Sequence, residues 1–360
     1  MRAFVTGGTG FIGWQVVQKL LRKGYAVWAL ARSEAGAARL QAAGATVVWG
    51  DILDPESMRD VIRDSDVVYH LAAWYKLGSL EGQTAEKVNV KGTRNVLELA
   101  YELGVPKIIY TSTINVLGDT HGEVVDEDYR RQVSEGHAFP TEYERTKWKA
   151  HYEVALPLIE KGAPIIIVMP GAVYGPGDHS LVGDMMRAYY KGLLPIFPGP
   201  ETQITLAHVE DVAEGHLLAA EKGRIGESYL LTGPGLNFKE MAEMWAKTSG
   251  RSAPLAYVPA AYIRPLASLV GEAQKILPLP PMLSQDGVNF MGVTLLGSSE
   301  KARRDLGWQT RPLEVGLRET FEHLADTRKT PLPLSSRQKK AFGLAAAAAA
   351  LLLFWRWNRR

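Results

Sequence analysis

The 360-residue chain contains no cysteine. Disulfides, thiolate metal sites and thiol nucleophiles are therefore excluded, and nothing indicates an oxidising compartment. The chain also lacks an excess of one charge. Its 41 basic and 39 acidic residues leave a net charge of +2, so nucleic acid is not expected as a partner. No apolar targeting segment precedes the first apolar run at Ala3, and we expect the folded body to be cytoplasmic.

Short apolar runs alternate with helical patterns through the first half of the chain. The runs that we interpret as buried parallel strands are Ala3–Val5, Ala26–Ala31, Thr46–Trp49, Val67–Leu71, Lys107–Thr111 and Ile165–Val168. The helices predicted between them are Trp14–Lys23, Ala35–Ala43, Pro55–Arg63, Thr84–Leu103 and Glu142–Lys161. This alternation predicts an α/β fold in which βαβ units build a Rossmann-type, doubly wound parallel sheet.

A glycine-rich turn joins the first predicted strand to the first predicted helix. It contains Gly7, Gly10 and Gly13 at a spacing that lets a backbone approach a phosphate closely. A strand that turns into a helix also aims backbone N–H groups and the positive end of the helix dipole at one point. We therefore expect Gly7, Gly10, Phe11, Ile12 and Gly13 to bind the pyrophosphate of a dinucleotide.

Arg32 directly follows the second predicted strand, at the position where an NAD-selective fold usually carries an acid that binds the ribose 2′-hydroxyl. A guanidinium suits the 2′-phosphate of NADP instead, and Ser33 can add a hydrogen bond. The sequence therefore predicts NADP in preference to NAD. Asp51 and Ile52, at the end of the third strand, are expected at the adenine edge, with Asp51 as a cap of the helix at Pro55 as the alternative.

Tyr143 and Lys147 are four residues apart and share one face of a predicted helix. A phenol has a pKa of about 10, and a nearby ammonium favours the phenolate, so the pair suits proton exchange with an alcohol. The segment Thr111–Thr113 ends the fifth strand. A hydroxyl there can meet a substrate at the carboxyl edge of the sheet.

Several motifs occur in the order typical of the extended short-chain dehydrogenase/reductase superfamily, the NAD(P)-dependent epimerase/dehydratase group. The chain resembles this group from Met1 to about Phe321. The motifs are Thr6–Gly13, His70–Ala73, Asn89–Val96, Tyr110–Thr113, Tyr143–Lys147, Pro170–Gly177 and His208–Ala213. The resemblance therefore supports the α/β fold that the alternating pattern predicts.

The resemblance also implies roles for individual residues. Tyr143 would be the acid/base, Lys147 would hold the nicotinamide ribose and lower the pKa of Tyr143, and a hydroxyl would orient the substrate oxygen. Counting back from Val116-Leu117-Gly118 assigns that hydroxyl to Thr113, with Ser112 as the alternative. Further cofactor contacts are implied at Leu71, Ala72, Ala73, Pro170 and Val173.

Partners other than a small-molecule substrate receive less support from the sequence. Many members of the group dimerise, so a homodimer is implied by the resemblance. His70 and His208 have no partners at metal-ligand spacing, and no metal is predicted. Trp74 and Tyr75 are expected to face the substrate pocket.

The residues after Thr113 help to choose among the reactions of the group. Related dehydratases carry Asp-Glu there and related decarboxylases a glutamate, whereas this chain has Ile114 and Asn115. The segment Tyr25–Arg32 resembles the dihydroflavonol 4-reductase and 3β-hydroxysteroid dehydrogenase branch. We therefore expect hydride transfer between NADP(H) and a carbonyl or secondary alcohol of a bulky, apolar substrate, in either direction.

Two other functions remain open. A nucleotide-sugar epimerase would keep NAD bound and would need a basic subsite, for which Arg187, Lys191, Arg224 and Arg264 are candidates. A non-enzymatic NADP-binding scaffold at a membrane is the second alternative. The presence of Thr113, Tyr143 and Lys147 argues against a scaffold.

The rhythm of strands and helices also predicts how the chain is divided. Residues 1–175 are expected to form the dinucleotide-binding domain, with a segment near 204–232 that returns to it and includes a strand at Tyr229–Thr232. Prolines cluster later in the chain, so residues 176–330 are predicted to form a smaller, mostly helical C-terminal substrate lobe, interleaved with the first domain. Residues 331–360 form a linker and a hydrophobic tail.

The tail contains an uncharged run, Ala341–Trp355, with basic residues on both sides. These flanks resemble those of a membrane anchor. The 15 residues of the run would extend about 22 Å as a helix, less than the roughly 30 Å of a bilayer core. We expect residues 341–357 to anchor the protein at a membrane, with a flexible soluble tail as the alternative.

Overall fold

A computed structural model of the protein describes residues 1–75, 81–131, 139–274 and 281–326. The predicted linker and tail at residues 331–360 lie outside the described residues. The strands are β1 Arg2–Thr6, β2 Ala26–Ala31, β3 Thr46–Trp49, β4 Val67–His70, β5 Ile108–Thr111, β6 Ile165–Pro170, β7 Ala172–Tyr174, β8 Ile196–Pro198, β9 Gln203–His208, β10 Ser228–Leu231, β11 Gly235–Asn237, β12 Ala256–Val258 and β13 Thr294–Leu295.

Helices connect and cover these strands. The α-helices are α1 Phe11–Arg22, α2 Glu34–Ala42, α3 Arg59–Arg63, α4 Gly82–Ala85, α5 Thr93–Glu102, α6 Glu142–Lys149, α7 Leu156–Glu160, α8 Leu181–Tyr190, α9 Val209–Lys222, α10 Phe238–Ser249, α11 Ala260–Ile263, α12 Ala267–Gln274, α13 Gln285–Phe290, α14 Glu300–Leu306 and α15 Leu313–Asp326. Two π-helical stretches, Glu86–Gly92 and Ala150–Ala155, connect α4 to α5 and α6 to α7. Single 3-10 turns occur at Pro55–Met58, Ile114–Leu117, Arg264–Leu266 and Pro281–Leu283.

Seven parallel strands form the main sheet in the order β10-β6-β5-β4-β1-β2-β3. The order reverses between β1 and β4, which is the switch point of a doubly wound sheet. The predicted α/β Rossmann-type fold is confirmed. The seventh strand, β10, pairs with β6 and lies where the sequence predicts a strand at Tyr229–Thr232.

Both faces of the sheet are buried because its strands are almost entirely apolar. Alternation along β1 sends Phe4 into one core, beneath α5, and Val5 into the other, beneath α1 and α9. The helices α1 and α9 pack against each other on that second face. This packing holds the carboxyl ends of β1, β4 and β5 along one edge of the sheet.

While α14 packs against α9 and β10 of the main sheet, most of the remaining described chain forms a smaller lobe beyond that edge. Its four-stranded sheet contains β7, β9, β11 and β13, and a second small sheet pairs β12 with β8. The helices α8, α10 and α15 pack around a buried cluster that includes Trp245 and Phe321. Arg311 binds Asp211 through paired N–H groups and thereby joins the segment before α15 to α9. The domain boundaries expected from the sequence remain a prediction.

Candidate active site

The turn between β1 and α1 requires glycine at two of its positions. Gly7 has a φ of 74°, and a Cβ there would lie 2.6 Å from the backbone nitrogen of Ala72. A Cβ at Gly13 would overlap the Gly7 carbonyl oxygen. The chain after β4, where Leu71 and Ala72 lie, is thus pressed against the turn. The two segments predicted to contact the cofactor are therefore neighbours.

The N-terminus of α1 has the features of an anion site. The helix begins at Phe11 with Gly10 as its N-cap, and it has neither a side-chain cap nor an acidic residue in its first turn. The first N–H groups of a helix lack partners within the helix, and the dipole there favours negative charge. The turn and this helix end therefore fit a dinucleotide pyrophosphate, as the sequence predicts.

Arg32 lies at the carboxyl end of β2, with its side chain 65% exposed. Its Nη1 is 3.5 Å from Oδ2 of Asp51, a long contact that leaves most of the guanidinium accessible. Ser33 caps α2, because its hydroxyl accepts a hydrogen bond from the Gly36 backbone. This hydroxyl oxygen is therefore already engaged within the helix. Arg32 is thus the more available of the two phosphate candidates.

Asp51 does not cap the turn at Pro55, so that alternative is wrong. Its Oδ1 accepts a hydrogen bond from the backbone of Leu53 at 2.9 Å, and Asp54 occupies the N-cap position. Ile52 is buried, and its carbonyl accepts a hydrogen bond from Asn95 at 2.8 Å. Both residues follow β3, next to the end of β2, because β2 and β3 pair in parallel.

A second cation, Arg39, was missed by the sequence reasoning. Its guanidinium lies 3.9 Å from the centroid of the Trp14 ring, and its Nη1 donates to the carbonyl of Thr9 at 3.3 Å. Arg39 is on α2, and Thr9 is in the glycine turn. Its position on the helix that follows Arg32 is the sequence feature that could have identified it. Arg39 adds positive charge beside the turn.

Tyr143 lies in the first turn of α6, which Thr141 caps by accepting from the Glu144 backbone. A hydrogen bond to Thr113 favours the Tyr143 phenolate, but burial outweighs it and raises the pKa of Tyr143 to about 12. Ser112 is instead hydrogen-bonded to Nδ1 of His151 at 2.9 Å. Of the two hydroxyls considered from the sequence, Thr113 is therefore the one beside Tyr143.

Lys147 is buried, and its ammonium points toward β5. Its Nζ donates to the Thr111 carbonyl at 2.7 Å and to the Tyr110 hydroxyl at 3.3 Å. Burial lowers the pKa of Lys147 to about 7. Burial dominates the pKa of Tyr143 in this arrangement, and the role of Lys147 in lowering that pKa stays a prediction.

Tyr75 forms a wall next to Tyr143. The two rings meet edge to face, with centroids 4.8 Å apart, and the Tyr75 hydroxyl accepts a long hydrogen bond of 3.5 Å from the Leu181 backbone at the start of α8. Trp74 is held through its backbone by the side chain of Asn89, at 2.7 and 3.0 Å. Tyr75 therefore touches both the candidate catalytic helix and the smaller lobe.

The remaining predicted residues occupy less distinctive positions. Pro170 ends β6, and Val173 lies in β7, which pairs with β9. His70 is hydrogen-bonded to Thr6 and Thr93.

In the described ranges no group of three or more His, Asp or Glu side chains has the arrangement of a metal site. None of the described helices combines the length and apolar character needed to cross a bilayer.

The fold and the glycine turn define a Rossmann-type dinucleotide-binding protein. A sequence profile of the NAD dependent epimerase/dehydratase family matches residues 3–231. The chain belongs to this family. The matched region ends with β10, the last strand of the main sheet.

Individual relatives narrow the class further. A provisionally named dihydroflavonol 4-reductase of Synechocystis sp. is 31% identical over 313 residues, which cover 84% of this chain and 89% of that protein. A 4-hydroxy-2-methyl-3-oxo-4-farnesyl-3,4-dihydroquinoline-1-oxide ketoreductase of Stigmatella aurantiaca is 31% identical over 322 residues, which cover 86% and 92%. The crystal structure of gox2253 is similar with a TM-score of 0.77 and 31% identity, over 91% of this chain and 99% of that one. The protein is thus an oxidoreductase of the extended short-chain dehydrogenase/reductase type.

Proposed function

We propose that the protein transfers a hydride between NADP(H) and a carbonyl or secondary alcohol of a bulky, apolar substrate. The observation that carries the proposal is the contact between Tyr143 and Thr113 at the carboxyl edge of the sheet, with Lys147 buried on the same helix. A phenol and a hydroxyl that converge there suit the oxygen of a carbonyl. Bound NADPH supplies the hydride, which is the part of the reaction that side chains cannot supply.

The state of Tyr143 suits reduction at neutral pH. Because its pKa is about 12, the phenol keeps its proton until a substrate oxygen becomes basic enough to accept it. The Thr113 hydroxyl has one proton, which it donates to Asn115 Oδ1 at 2.9 Å, and it accepts from the Asn115 backbone at 3.3 Å. When a substrate binds, this hydroxyl would turn its proton from Asn115 to the substrate oxygen and so orient that oxygen toward Tyr143.

Lys147 serves the cofactor in this scheme. An ammonium has three N–H donors, and the described contacts with Thr111 and Tyr110 use two of them. The third is available for the ribose hydroxyls of the nicotinamide half. Leu71, Ala72 and Pro170 line the same edge of the sheet, at the ends of β4 and β6.

We infer a preference for NADP over NAD from the charges near the end of β2. Arg32 stands where an acid would accept the ribose 2′-hydroxyl, and Arg39 lies beside the glycine turn. Both guanidiniums are exposed and suit a dianionic phosphate. Asp51 contacts Arg32 only at 3.5 Å, so this carboxylate leaves the cation able to bind phosphate.

The apolar substrate is proposed from two features. The named substrates of the two relatives are ring compounds, a dihydroflavonol and a farnesylated dihydroquinoline oxide. In this chain, the ring of Tyr75 forms the side of the site next to Tyr143. A flat aromatic wall suits a flat, apolar ring system.

A nucleotide-sugar epimerase is less well supported. Its diphosphate would need free cations, and the candidate Arg187 lies on α8, the helix whose first residue, Leu181, donates to the Tyr75 hydroxyl. That guanidinium donates to Asp184 at 2.5 Å and to the carbonyl of Asp178. Arg187 is therefore already engaged within its own segment.

We also infer that residues 341–357 hold the protein at a membrane, with the catalytic body on the cytoplasmic side. The support is the sequence of the tail, whose apolar run lies between basic residues. An enzyme for apolar substrates gains access to them at a membrane surface. A homodimer stays a prediction from the family resemblance.

Replacement of Tyr143 tests the proposed chemistry. Tyr143→Phe should lower NADPH-dependent reduction of ketones by at least about 100-fold, because the proton donor is lost. The dissociation constant for NADPH should stay the same, because the ring remains. The measurements are NADPH oxidation with a panel of flavonoid, steroid and quinoline ketones, and NADPH fluorescence titration.

The matched control is Tyr152→Phe, which removes a nearby hydroxyl that lacks a hydrogen-bond partner among the described residues. This variant should retain full activity. Equal activity in Tyr143→Phe and the unmodified protein would overturn the mechanism. NADPH binding without turnover of any ketone would favour the scaffold.

A further inference from the structure

Three polar side chains lie side by side across the main sheet. Thr6 on β1 is in register with His70 on β4, and His70 is in register with Tyr110 on β5. Paired residues of neighbouring strands point to the same face of a sheet. All three side chains are fully buried. A row of polar groups in an otherwise apolar sheet needs internal hydrogen bonds.

Those hydrogen bonds form a continuous chain. Thr6 Oγ1 is 2.7 Å from His70 Nδ1, and His70 Nε2 is 3.0 Å from Thr93 Oγ1. Thr93 and Ser112 are hydrogen-bonded to the Tyr110 hydroxyl, which also accepts from Lys147 Nζ at 3.3 Å. We call Thr6, His70, Thr93 and Tyr110 the cross-strand chain.

The two ends of the cross-strand chain lie at the two cofactor-binding segments. At one end, Thr6 precedes Gly7 and accepts a hydrogen bond from the backbone of Ala72 at 3.3 Å. At the other end, the Tyr110 ring lies 4.8 Å below Lys147 Nζ and stacks on the ring of His70. The position of the Tyr110 hydroxyl is therefore fixed by the sheet itself.

We propose that Tyr110 is a positioning residue for Lys147. Its hydroxyl and ring hold the buried ammonium at the carboxyl edge of β5, and the cross-strand chain fixes that hydroxyl. The inference rests on the proposed function, because it concerns how Lys147 is kept charged for the dinucleotide. It concerns a residue that contacts neither substrate nor the reacting atoms.

The surroundings of Lys147 disfavour its charged form, so the ammonium needs the hydrogen bond to Tyr110. The titratable groups that interact with the ammonium are Tyr110 on β5, His70 on β4, and His151 in the π-helical stretch that follows α6. Burial, together with the charge of Lys147, lowers the pKa values of both histidines to about 3, so these rings are neutral. No described carboxylate offsets the burial that lowers the pKa of Lys147.

Neutral acceptors therefore stabilise the ammonium. The Thr111 carbonyl is one and the Tyr110 hydroxyl is the other. A hydrogen bond to the charged form of a group favours that form. Removal of the Tyr110 hydroxyl should shift Lys147 toward the neutral amine. A neutral amine would bind the anionic dinucleotide less tightly.

The test is the pH dependence of NADPH affinity, which needs no substrate. Affinity should fall as pH rises through the pKa of Lys147 in the free protein, because the charged form binds better. In Tyr110→Phe this fall should begin about one pH unit lower. Thr93→Val, which interrupts the cross-strand chain, should move the fall in the same direction by less. Thermal unfolding verifies that each variant is folded.

Two controls separate positioning from a general effect on packing. Tyr69→Phe removes a buried hydroxyl that has no hydrogen-bond partner in the described structure, on the opposite face of the sheet, and it should leave the profile unchanged. In a Lys147→Met background, Tyr110→Phe should have no further effect on affinity.

The outcomes distinguish this inference from the proposed function. An unmodified protein that does not bind NADPH would refute the proposed cofactor. A protein that binds NADPH with the same pH profile in Tyr110→Phe would refute the role of Tyr110. An equal loss of NADPH affinity on Tyr110→Phe in the presence and in the absence of Lys147 would also refute the role of Tyr110.

Discussion

At the scale of a single side chain, we expect Arg32 to decide which cofactor binds. In Arg32→Ala the dissociation constant for NADPH should rise about 10- to 100-fold, since one or two charge-assisted hydrogen bonds to the 2′-phosphate are lost. The constant for NADH should stay the same, because NADH carries a hydroxyl at that position. Fluorescence titration with both cofactors measures the ratio.

Arg63 offers a control of the same residue type. It pairs with Asp60 on the exposed side of α3, and Arg63→Ala should leave both constants unchanged. An unmodified protein that binds NADH as tightly as NADPH would contradict the assignment. So would an equal loss of both cofactors in Arg32→Ala.

Some site residues could be predicted one by one, and others could not. The pair Tyr143 and Lys147 follows from helical spacing, which is a local property of the sequence. Arg39 and Tyr110 were missed because their partners come from other elements. Arg39 stacks on Trp14 of α1, and Tyr110 meets groups from β4, α5 and α6. Contacts of this kind exist only after the sheet has formed.

The pKa of Tyr143 shows a second limit of local reasoning. A lysine four residues away suggests a lowered pKa, but the result depends on burial and on where the ammonium points. In the folded chain Lys147 donates to β5, and burial raises the pKa of Tyr143. Sequence spacing indicates which residues share a face and leaves their solvation undetermined.

At the scale of an element, a single methyl group is enough to disrupt the turn from β1 into α1. In Gly13→Ala the new methyl group would overlap the Gly7 carbonyl, so the turn must open. We expect loss of NADPH binding and a fall of about 1–3 kcal/mol in the free energy of unfolding. Urea unfolding and fluorescence titration measure the two effects.

Gly44→Ala separates the effect on NADPH binding from the effect on the free energy of unfolding. Gly44 has a φ of 97° and open space around its Cβ position, so alanine there strains the backbone without a collision. This variant should lose stability and keep its NADPH affinity. If Gly13→Ala retained full affinity, the pyrophosphate would have to bind elsewhere.

Long elements were predicted well and short ones poorly. The first six strands agree with prediction to within one or two residues, because buried parallel strands are continuous apolar runs. The helix α1 begins at Phe11 instead of Trp14, since Gly10 serves as its N-cap. Five strands have only two or three residues each, too few to show the alternation of apolar and polar side chains that identifies a strand. These are β7, β8, β11, β12 and β13.

At the scale of the whole molecule, we expect the tail to hold the protein at a membrane. The full chain should sediment with membranes, whereas a chain that ends at Thr330 should not, because it lacks the apolar run and its basic flanks. Cell fractionation without detergent, followed by immunoblotting, measures the distribution. Both proteins should reduce a soluble ketone equally well.

The apolar character of the tail can be tested at constant length. Changing Leu351, Leu352 and Leu353 to serine keeps the basic flanks and removes apolar surface. That variant should leave the membrane fraction. A full chain found wholly in the soluble fraction would refute membrane anchoring.

The position of β10 has a consequence for synthesis of the protein. A ribosome releases β1 to β6 before Ser228–Leu231, so a nascent chain has β6 as an open edge until β10 emerges. All six residues of β6 are buried in the folded protein, and an apolar strand with unpaired backbone groups readily joins another chain. We therefore expect a fragment that ends before residue 228 to aggregate more readily than the full chain.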